Sequence, residues 1–225
     1  MFLRGLQGVT MKNYSNVIQE QTTLIPKRVL EIGSRDGIDP HILSNIFGIS
    51  EDNIFIIEPH PKSFLSICET YPNSKNYNLA LFNKNEDREF IMLERDVGIS
   101  SLLGRVDSFY ERTPHQKIKV ECLRGDTFLQ KNKLETLSFD LCKLDVEGAT
   151  YQVLEGFGNL LTQIKSFHLE CEYKEIWKDQ AVYSQIKELM TSKGYTLLYE
   201  ENLSNMNVQS DSIWVLNEYV NHENK

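Results

Sequence analysis

Short apolar runs alternate with amphipathic segments along most of this chain. Five apolar runs have the length of buried strands and lie at residues 28–30, 53–57, 76–82, 139–145 and 164–170. Between them, apolar residues recur at helical spacing over residues 38–48, 149–157 and 180–193. This alternation predicts an α/β fold with a mostly parallel sheet, right-handed crossovers and helices on both faces.

Two regions depart from the plain alternation. Runs at 89–93 and 117–123 predict a hairpin inserted between the third and fourth core strands, with a polar loop over the site ahead of Gln116. The last two runs, at 195–199 and 212–216, are separated by a polar loop and predict an antiparallel pair at the sheet edge.

The same pattern divides the chain into three parts. Residues 1–27 are mixed and predict a helical or irregular lead-in, residues 28–220 form one domain, and residues 221–225 form a tail. A length of 225 residues suits one substantial α/β domain.

Composition and charge exclude several classes of function. The net charge of −8 argues against a nucleic acid partner held by phosphate contacts. No apolar run has the length of a membrane span. The four cysteines lack metal-ligand spacing, which argues against structural zinc and favours reduced thiols in a cytoplasmic protein.

Glycines and carboxylates follow the first two strands of the pattern. Residues 31–37 read Glu-Ile-Gly-Ser-Arg-Asp-Gly, between a strand and a helix for which Asp39 is the expected cap and Pro40 the expected first residue. Glu58 ends the second strand, 21 residues beyond Gly37, as a ribose-binding carboxylate does in nucleotide sites. The two strand ends together predict a nucleotide-type cofactor site.

Further acidic residues end the later strands, so the carboxyl edge of the sheet forms an acidic rim. Its members are Glu31, Glu58, Asp145, Glu147 and Glu170, with His60 and His168 close by. Such a rim suits a ligand with a positive charge and a ribose diol better than a pyrophosphate. S-adenosylmethionine, which has a sulfonium, an ammonium and a ribose, fits this description.

Several motifs resemble those of the FkbM-type methyltransferases. They occur in family order and are Glu58-Pro59-His60-Pro61, Asn78-Leu79-Ala80-Leu81, Ser100-Ser101-Leu102, Lys143-Leu144-Asp145-Val146-Glu147-Gly148-Ala149 and Val153-Leu154-Glu155-Gly156. The chain departs from the family at Glu31, where Asp is usual, at Arg35, where Asn is common, and at Thr150, where Glu often follows the alanine. The resemblance implies a single class I methyltransferase (Rossmann-like) domain with a seven-stranded sheet, and O-methylation with S-adenosylmethionine.

Residue roles follow from the rim and the resemblance together. The expected cofactor-binding residues are Glu31, Gly33, Ser34, Arg35, Gly37, Glu58, Pro59, Ala80 and Asp145. The catalytic candidates are Asp145 as general base, with Glu147, His168 and Glu170, and the acceptor-pocket candidates are Ser100 and Ser101. Asp145 and Glu147 can instead anchor the cofactor or a loop, His168 can be a core histidine, and the two serines can serve a turn.

No metal is expected, although Asp145, Glu147 and Glu170 offer oxygen ligands of the kind that Mg²⁺ prefers. The expected partner is a small-molecule or glycan acceptor, with a sugar hydroxyl favoured. A pocket lined mostly by Leu102, Leu103 and Phe109 would instead favour a lipid-like acceptor.

Two other classes of function share parts of this pattern. An NAD(P)-dependent oxidoreductase has a similar opening motif, but it requires a glycine where this chain has Arg35. A non-catalytic Rossmann-like binding module is the second alternative, and the acidic strand ends argue against it.

Overall fold

The computed structural model describes residues 10–93, 97–107, 109–202 and 208–222. Five segments lie outside the described residues. Residues 1–9 belong to the predicted lead-in, and residues 94–96 and 108 belong to the loop between the two strands of the predicted hairpin, which we call the insertion loop. Residues 203–207 belong to the loop between the last two strands, and residues 223–225 belong to the tail.

The described residues form ten strands, which follow the apolar runs of the sequence. They are β1 Val29–Ile32, β2 Ile54–Ile57, β3 Lys75–Tyr77, β4 Ala80–Phe82, β5 Glu86–Leu93, β6 His115–Arg124, β7 Leu141–Leu144, β8 Ser166–Glu172, β9 Tyr195–Asn202 and β10 Gln209–Leu216.

Seven α-helices occupy the amphipathic segments of the described chain. They are α1 Met11–Gln21, α2 Ile38–Phe47, α3 Pro61–Thr70, α4 Phe109–Arg112, α5 Gly125–Lys131, α6 Thr150–Gly156 and α7 Tyr183–Ser192. Within the described ranges, no helix combines the length and the apolar character needed to cross a bilayer.

The main sheet has seven strands in the order β3-β2-β1-β7-β8-β10-β9. Five neighbouring strands are parallel, and β10 runs antiparallel to both β8 and β9. The predicted fold class is therefore confirmed, and the antiparallel strand lies second from the edge because β9 occupies the edge itself. The chain leaves β1 toward β2 on one side and returns to β7 on the other, which places a ligand-binding crevice at the carboxyl end of β1.

The run at 76–82, expected to be one strand, forms two strands in different sheets. The side-chain amide of Asn78 donates to the carbonyl oxygens of Glu58 (2.8 Å) and Pro59 (3.2 Å), so the chain turns between β3 and β4. β4 pairs with β6, and β6 pairs antiparallel with β5, in a separate three-stranded sheet. The predicted hairpin is thus confirmed, but the expectation of a single third strand was wrong.

Apolar side chains fill the space on both faces of the main sheet. One face packs α5, α6 and α7 through residues such as Phe128 and Val153, and the other packs α1 and α2 through residues such as Ile18 and Leu43. All four residues of β1 are buried, as expected for a strand covered on both sides. The polar carboxyl edge is therefore the place where the central strands meet solvent.

The helical part of the predicted lead-in packs directly against the sheet. Tyr14 of α1 is fully buried, and its hydroxyl lies 2.7 Å from Oγ of Ser166. The backbone N–H of Cys142, in β7, also donates to this hydroxyl at 3.3 Å. One phenol thus joins α1 to two central strands, so α1 belongs to the packed fold.

Replacing Tyr14 with Phe tests this attachment. Loss of the hydroxyl leaves buried polar groups without their partner, and we expect Tyr14→Phe to lower the free energy of unfolding by about 1–3 kcal/mol. Chemical denaturation followed by circular dichroism measures the change. Lys12→Ala, at an exposed position of the same helix, is the matched control and is expected to stay within about 0.5 kcal/mol of the parent. Equal stability of Tyr14→Phe and the parent would contradict the role given to α1.

Candidate active site

A cavity of about 310 Å³ opens at the carboxyl ends of β1, β2 and β7. Its volume lies within the range of small-molecule sites, roughly 300–1,000 Å³. Nine of the residues expected from the sequence line it, and these are Gly33, Ser34, Arg35, Glu58, Pro59, Ala80, Ser100, Asp145 and Glu147. The strand ends picked out by the sequence therefore meet around one crevice.

Glu58 is held in place by backbone N–H groups. Its side chain is buried, with Oε2 accepting from the N–H of Arg35 at 2.9 Å and Oε1 accepting from the N–H of His60 at 2.6 Å. Burial raises the pKa of this carboxyl, and the two N–H donors oppose that rise. A carboxylate has about four lone-pair sites, so Glu58 keeps acceptor capacity toward the cavity that it lines.

Close packing shapes the loop of residues 33–37, which we call the glycine loop. Gly33 has φ +81°, and a β-carbon there would lie 1.9 Å from the carbonyl oxygen of Asp145. Arg35 also has a left-handed backbone, with φ 59°, which turns its N–H toward Glu58. The Arg35 side chain is more than half exposed and pairs with Asp36. Arg35 therefore contributes to the loop through its backbone N–H rather than through its side chain.

Hydrogen bonds of the Ser34 hydroxyl connect Glu31 to Gly37 and hold this loop in place. Glu31 is fully buried and accepts a hydrogen bond from the hydroxyl of Ser34, and burial raises its pKa well above the usual range. Ser34 in turn accepts from the N–H of Gly37 at 2.9 Å. These contacts give Glu31 a role in holding the loop rather than in lining the cavity.

The start of α2 differs from the expectation for Asp39 and Pro40. The helix begins one residue earlier than Asp39, with Gly37 as its cap in a left-handed conformation. The expected capping role of Asp39 was wrong, because its carboxylate instead accepts from Nζ of Lys143 at 2.6 Å.

Lys143 is a site residue that the sequence reasoning missed. It projects from β7 and lies 2.6 Å from Asp39, 3.3 Å from Asp145 and 3.9 Å from Glu31, measured from Nζ to carboxylate oxygens. Burial opposes its charge, but the surrounding carboxylates hold the pKa of Lys143 well above its usual value. The sequence signals were a lysine inside an otherwise apolar strand and its place at the start of the motif of residues 143–149. In the structure, Lys143 lies directly opposite Glu31 in the register.

Three carboxylates meet on the other side of Asp145. Oxygens of Asp145, Glu147 and Glu170 lie within 4.8 Å of one another. Burial, followed by the charges of Asp145, Glu147 and Asp211, raises the pKa of Glu170 well above its usual value. These groups can accept a proton or hold a cation.

The two serines expected in the acceptor pocket have different surroundings. Ser100 lines the cavity, and its hydroxyl accepts from the N–H of Leu93 at 3.2 Å. Ser101 is 1% exposed, donates to the carbonyl oxygen of Glu147 at 2.7 Å and accepts from the N–H of Leu103 at 2.9 Å. Ser101 therefore anchors the insertion loop to the loop after β7.

The residues proposed for a lipid-like pocket do not gather in one place. Leu102 lines the cavity, whereas Leu103 is buried in the apolar core of the second sheet. Phe109 lies against the guanidinium of Arg105, 4.9 Å from its ring centroid. This arrangement gives no support to the lipid-like alternative.

A second cavity, of about 360 Å³, adjoins the first. The two share Asp39, Lys143 and Asp145. His168 and Glu170, expected near the reacting groups, line this second cavity together with Asp211. The sequence-predicted site is thus divided between two adjoining spaces, with Asp145 on their common wall.

Comparison with known proteins assigns the chain to a family. Residues 31–197, well over half of the chain, match the family model described as the methyltransferase FkbM domain. No curated protein sequence matches the chain.

Several solved structures are similar to the chain at low sequence identity. Methyltransferase FkbM from Methylobacillus flagellatus KT aligns with a TM-score of 0.51 and 9% identity, over 85% of this chain and 44% of that one. Magnesium protoporphyrin IX methyltransferase from Synechocystis PCC 6803, solved with bound SAM, gives a TM-score of 0.46 and 11% identity over 92% and 79% of the two chains. TrmK from M. capricolum, solved with S-adenosylhomocysteine, gives 0.48 and 12% over 94% and 70%.

Fold and family define the class of the protein. The seven-stranded sheet with its crevice at the end of β1 is that of a class I methyltransferase. The chain belongs to the FkbM methyltransferase family, so the predicted family and fold are confirmed. This assignment decides against the oxidoreductase alternative. The chain spans less than half the length of the Methylobacillus protein.

The left-handed backbone of Arg35 yields a prediction about the loop. A left-handed residue other than glycine or asparagine is strained by roughly 1–2 kcal/mol, and we expect Arg35→Asn to raise Tm by about 1–3 °C. Because the Arg35 side chain points to solvent, affinity for S-adenosylhomocysteine should stay within about threefold of the parent. Differential scanning fluorimetry and calorimetry measure the two quantities.

Lys133→Asn is the matched control for this prediction. Lys133 has the same φ of 59° and lies between α5 and β7, so it should gain similar stability with no change in affinity. A tenfold loss of affinity in Arg35→Asn alone would show that the arginine side chain contacts the cofactor.

Proposed function

We propose that the protein transfers the methyl group of S-adenosylmethionine to a hydroxyl of a small molecule or glycan, with a sugar favoured. The observation that carries this proposal is the preorganised Glu58 carboxylate, which shares one cavity with the charged groups Lys143 and Asp145. Bound S-adenosylmethionine would supply the activated methyl group. The protein's task is then to hold both reactants in line and to remove one proton.

Glu58 fits the ribose end of the cofactor. The backbone N–H groups of Arg35 and His60 donate to it, and the carboxylate keeps lone-pair capacity for the hydroxyls of a diol. Hydrogen bonds to a charged carboxylate are stronger than those between neutral groups. Pro59 and Ala80, which line the same part of the cavity wall, would provide apolar surface for the adenine.

The charged groups near β7 fit the amino acid end. The ammonium of Lys143 can pair with the cofactor carboxylate, and Asp145 can accept from its amino group. Lys143 is already oriented by Asp39 at 2.6 Å, so it needs little rearrangement to do so. The residues present therefore match the charges at both ends of the expected ligand.

We propose Asp145 as the general base, because it forms the common wall of the two cavities. A carboxylate at this position can accept the hydroxyl proton as the new carbon–oxygen bond forms. Carboxylate oxygens of Glu147 and Glu170 lie within 4.8 Å of those of Asp145 and can receive the proton in turn. Lys143 lies 3.3 Å from Asp145 and already supplies a positive charge, and we propose that no metal is required.

The polar surroundings of the insertion loop favour a hydroxyl-rich acceptor. Arg105 and Asp107 form a bidentate ion pair there, and Ser100 lines the cavity nearby. We propose that residues 28–220 form the methyltransferase domain.

We also propose a cytoplasmic location. The four cysteines are free thiols, which supports this proposal.

Replacing Glu58 with Gln tests the ribose contact. Loss of the charge should weaken S-adenosylhomocysteine binding about 10–100-fold, because hydrogen bonds to a charged group contribute roughly 1.5–3 kcal/mol. Titration calorimetry measures the dissociation constant, and Glu121→Gln, at an exposed position of β6, is the control. An analogue that lacks the 2′-hydroxyl should lose less affinity on the same substitution. Unchanged binding by Glu58→Gln would remove Glu58 from the cofactor site.

Asp145→Asn separates a base from an anchor. We expect kcat to fall at least about 100-fold, because an amide cannot take the proton. Cofactor affinity should stay within a few-fold, because the amide oxygen still accepts from the amino group of the cofactor. Steady-state rates with labelled methyl donor and calorimetry provide the two values. If binding and rate fell by the same factor, Asp145 would be an anchor instead.

A further inference from the structure

The second cavity is rich in carboxylates. Four carboxylates line it, those of Asp39, Asp145, Glu170 and Asp211. Lys143 is the lysine among its lining residues, and it already pairs with Asp39 and Asp145. Glu170 and Asp211 are the two carboxylates of this cavity that have no part in the proposed cofactor contacts.

The sheet forces these two acids together. Asp211 of β10 lies directly opposite Glu170 of β8 in the antiparallel register, so their side chains share one face. Like charges at such positions destabilise a sheet by about 0.2–1 kcal/mol. Proteins keep such an unfavourable pair of charges mainly where the two residues serve a functional site rather than the stability of the fold.

His168 supplies an independent sign of a ligand. It lies two residues before Glu170 on the same strand and face, lines the cavity and is 4% exposed. Within the described part of the chain, neither of its ring nitrogens makes a hydrogen bond. Oδ2 of Asp211 lies 3.6 Å from Nε2, which is too long for a hydrogen bond. Buried polar groups are normally satisfied, so a ligand group is expected here.

We propose that this second cavity binds a protonated amino group of the methyl acceptor, through Glu170, Asp211 and His168. The acceptor would then be an amine-bearing alcohol, such as an amino sugar, whose hydroxyl meets Asp145 on the common wall of the two cavities. This inference rests on the methyl transfer to a hydroxyl proposed above.

An ammonium group suits the geometry better than a bare metal ion. It has three N–H donors, which match two carboxylates and one imidazole nitrogen. The cavity of about 360 Å³ is larger than an ion requires and lies in the range of organic ligands. Burial and neighbouring carboxylates raise the pKa of Glu170 well above its usual value, and a bound ammonium would favour its charged form.

A pair of small probes tests the proposal without assuming a sugar. The full-length protein is saturated with S-adenosylhomocysteine and titrated with ethanolamine or ethylene glycol, while the imidazole signals of its five histidines are followed by NMR. The His168 signals are assigned by their loss in His168→Gln. We expect ethanolamine to shift them saturably, with at least about tenfold higher affinity than ethylene glycol.

Variants then locate the interaction. Glu170→Gln and Asp211→Asn should each reduce the preference for the amine to within about threefold, whereas Glu121→Gln should leave it unchanged. Neither cavity variant should alter S-adenosylhomocysteine affinity more than about threefold. Because like charges are removed, each should also raise Tm without ligand by about 1–3 °C, which shows that the variants fold.

Several outcomes would overturn the inference. Equal binding of the two probes, or an amine preference that survives both substitutions, would mean that the cavity does not recognise the ammonium. Loss of the preference after EDTA treatment would assign the carboxylates to a metal ion. Failure of S-adenosylhomocysteine to bind at all would instead refute the proposed function, so the two failures are distinguishable.

Discussion

The site depends on one buried lysine charge at the centre of the sheet. Lys143 projects from β7 toward carboxylates that come from β1, α2 and the loop after β7. An uncompensated charge at this depth would cost several kcal/mol, so the three elements must approach closely for the fold to be stable. The same approach brings the glycine loop against the Asp145 carbonyl, where any residue with a side chain would clash. Stability and cavity shape therefore have a common origin.

The two ends of the first cavity use different physical means to present charge. At Glu58, backbone N–H groups fix a carboxylate whose remaining lone pairs face the cavity. Beside Asp145, three carboxylates cluster, and burial, followed by the neighbouring charges, raises the pKa of Glu170 well above its usual value. The first arrangement suits firm binding of neutral hydroxyls, whereas the second suits groups that exchange protons or bring a positive charge. A methyl transfer needs both, since one reactant must be held and the other must lose a proton.

Sequence reasoning succeeded where local pattern and topology agree. Each core strand overlaps its apolar run. The carboxylates Glu58 and Asp145 meet at one edge because the ends of parallel strands share a side of the sheet. It failed where long-range side-chain contacts decide the outcome. Asp39 has the position of a helix cap in the sequence, but its partner is Lys143, 104 residues away. The run at 76–82 has the length of one strand, but hydrogen bonds from Asn78 divide it.

By itself, the sequence determined the α/β class, the family and the strand-end acids, because hydrophobic period and short motifs are local properties. Only the tertiary structure decided how those acids are grouped. It buried Glu31 beneath the loop and assigned Ser101 to anchoring. It also separated His168 and Glu170 from Glu58 by placing them on another cavity with Asp211. The reason is register: the pairing of β8 with β10 brings Glu170 and Asp211 together across 41 positions of sequence, a distance that no local pattern encodes.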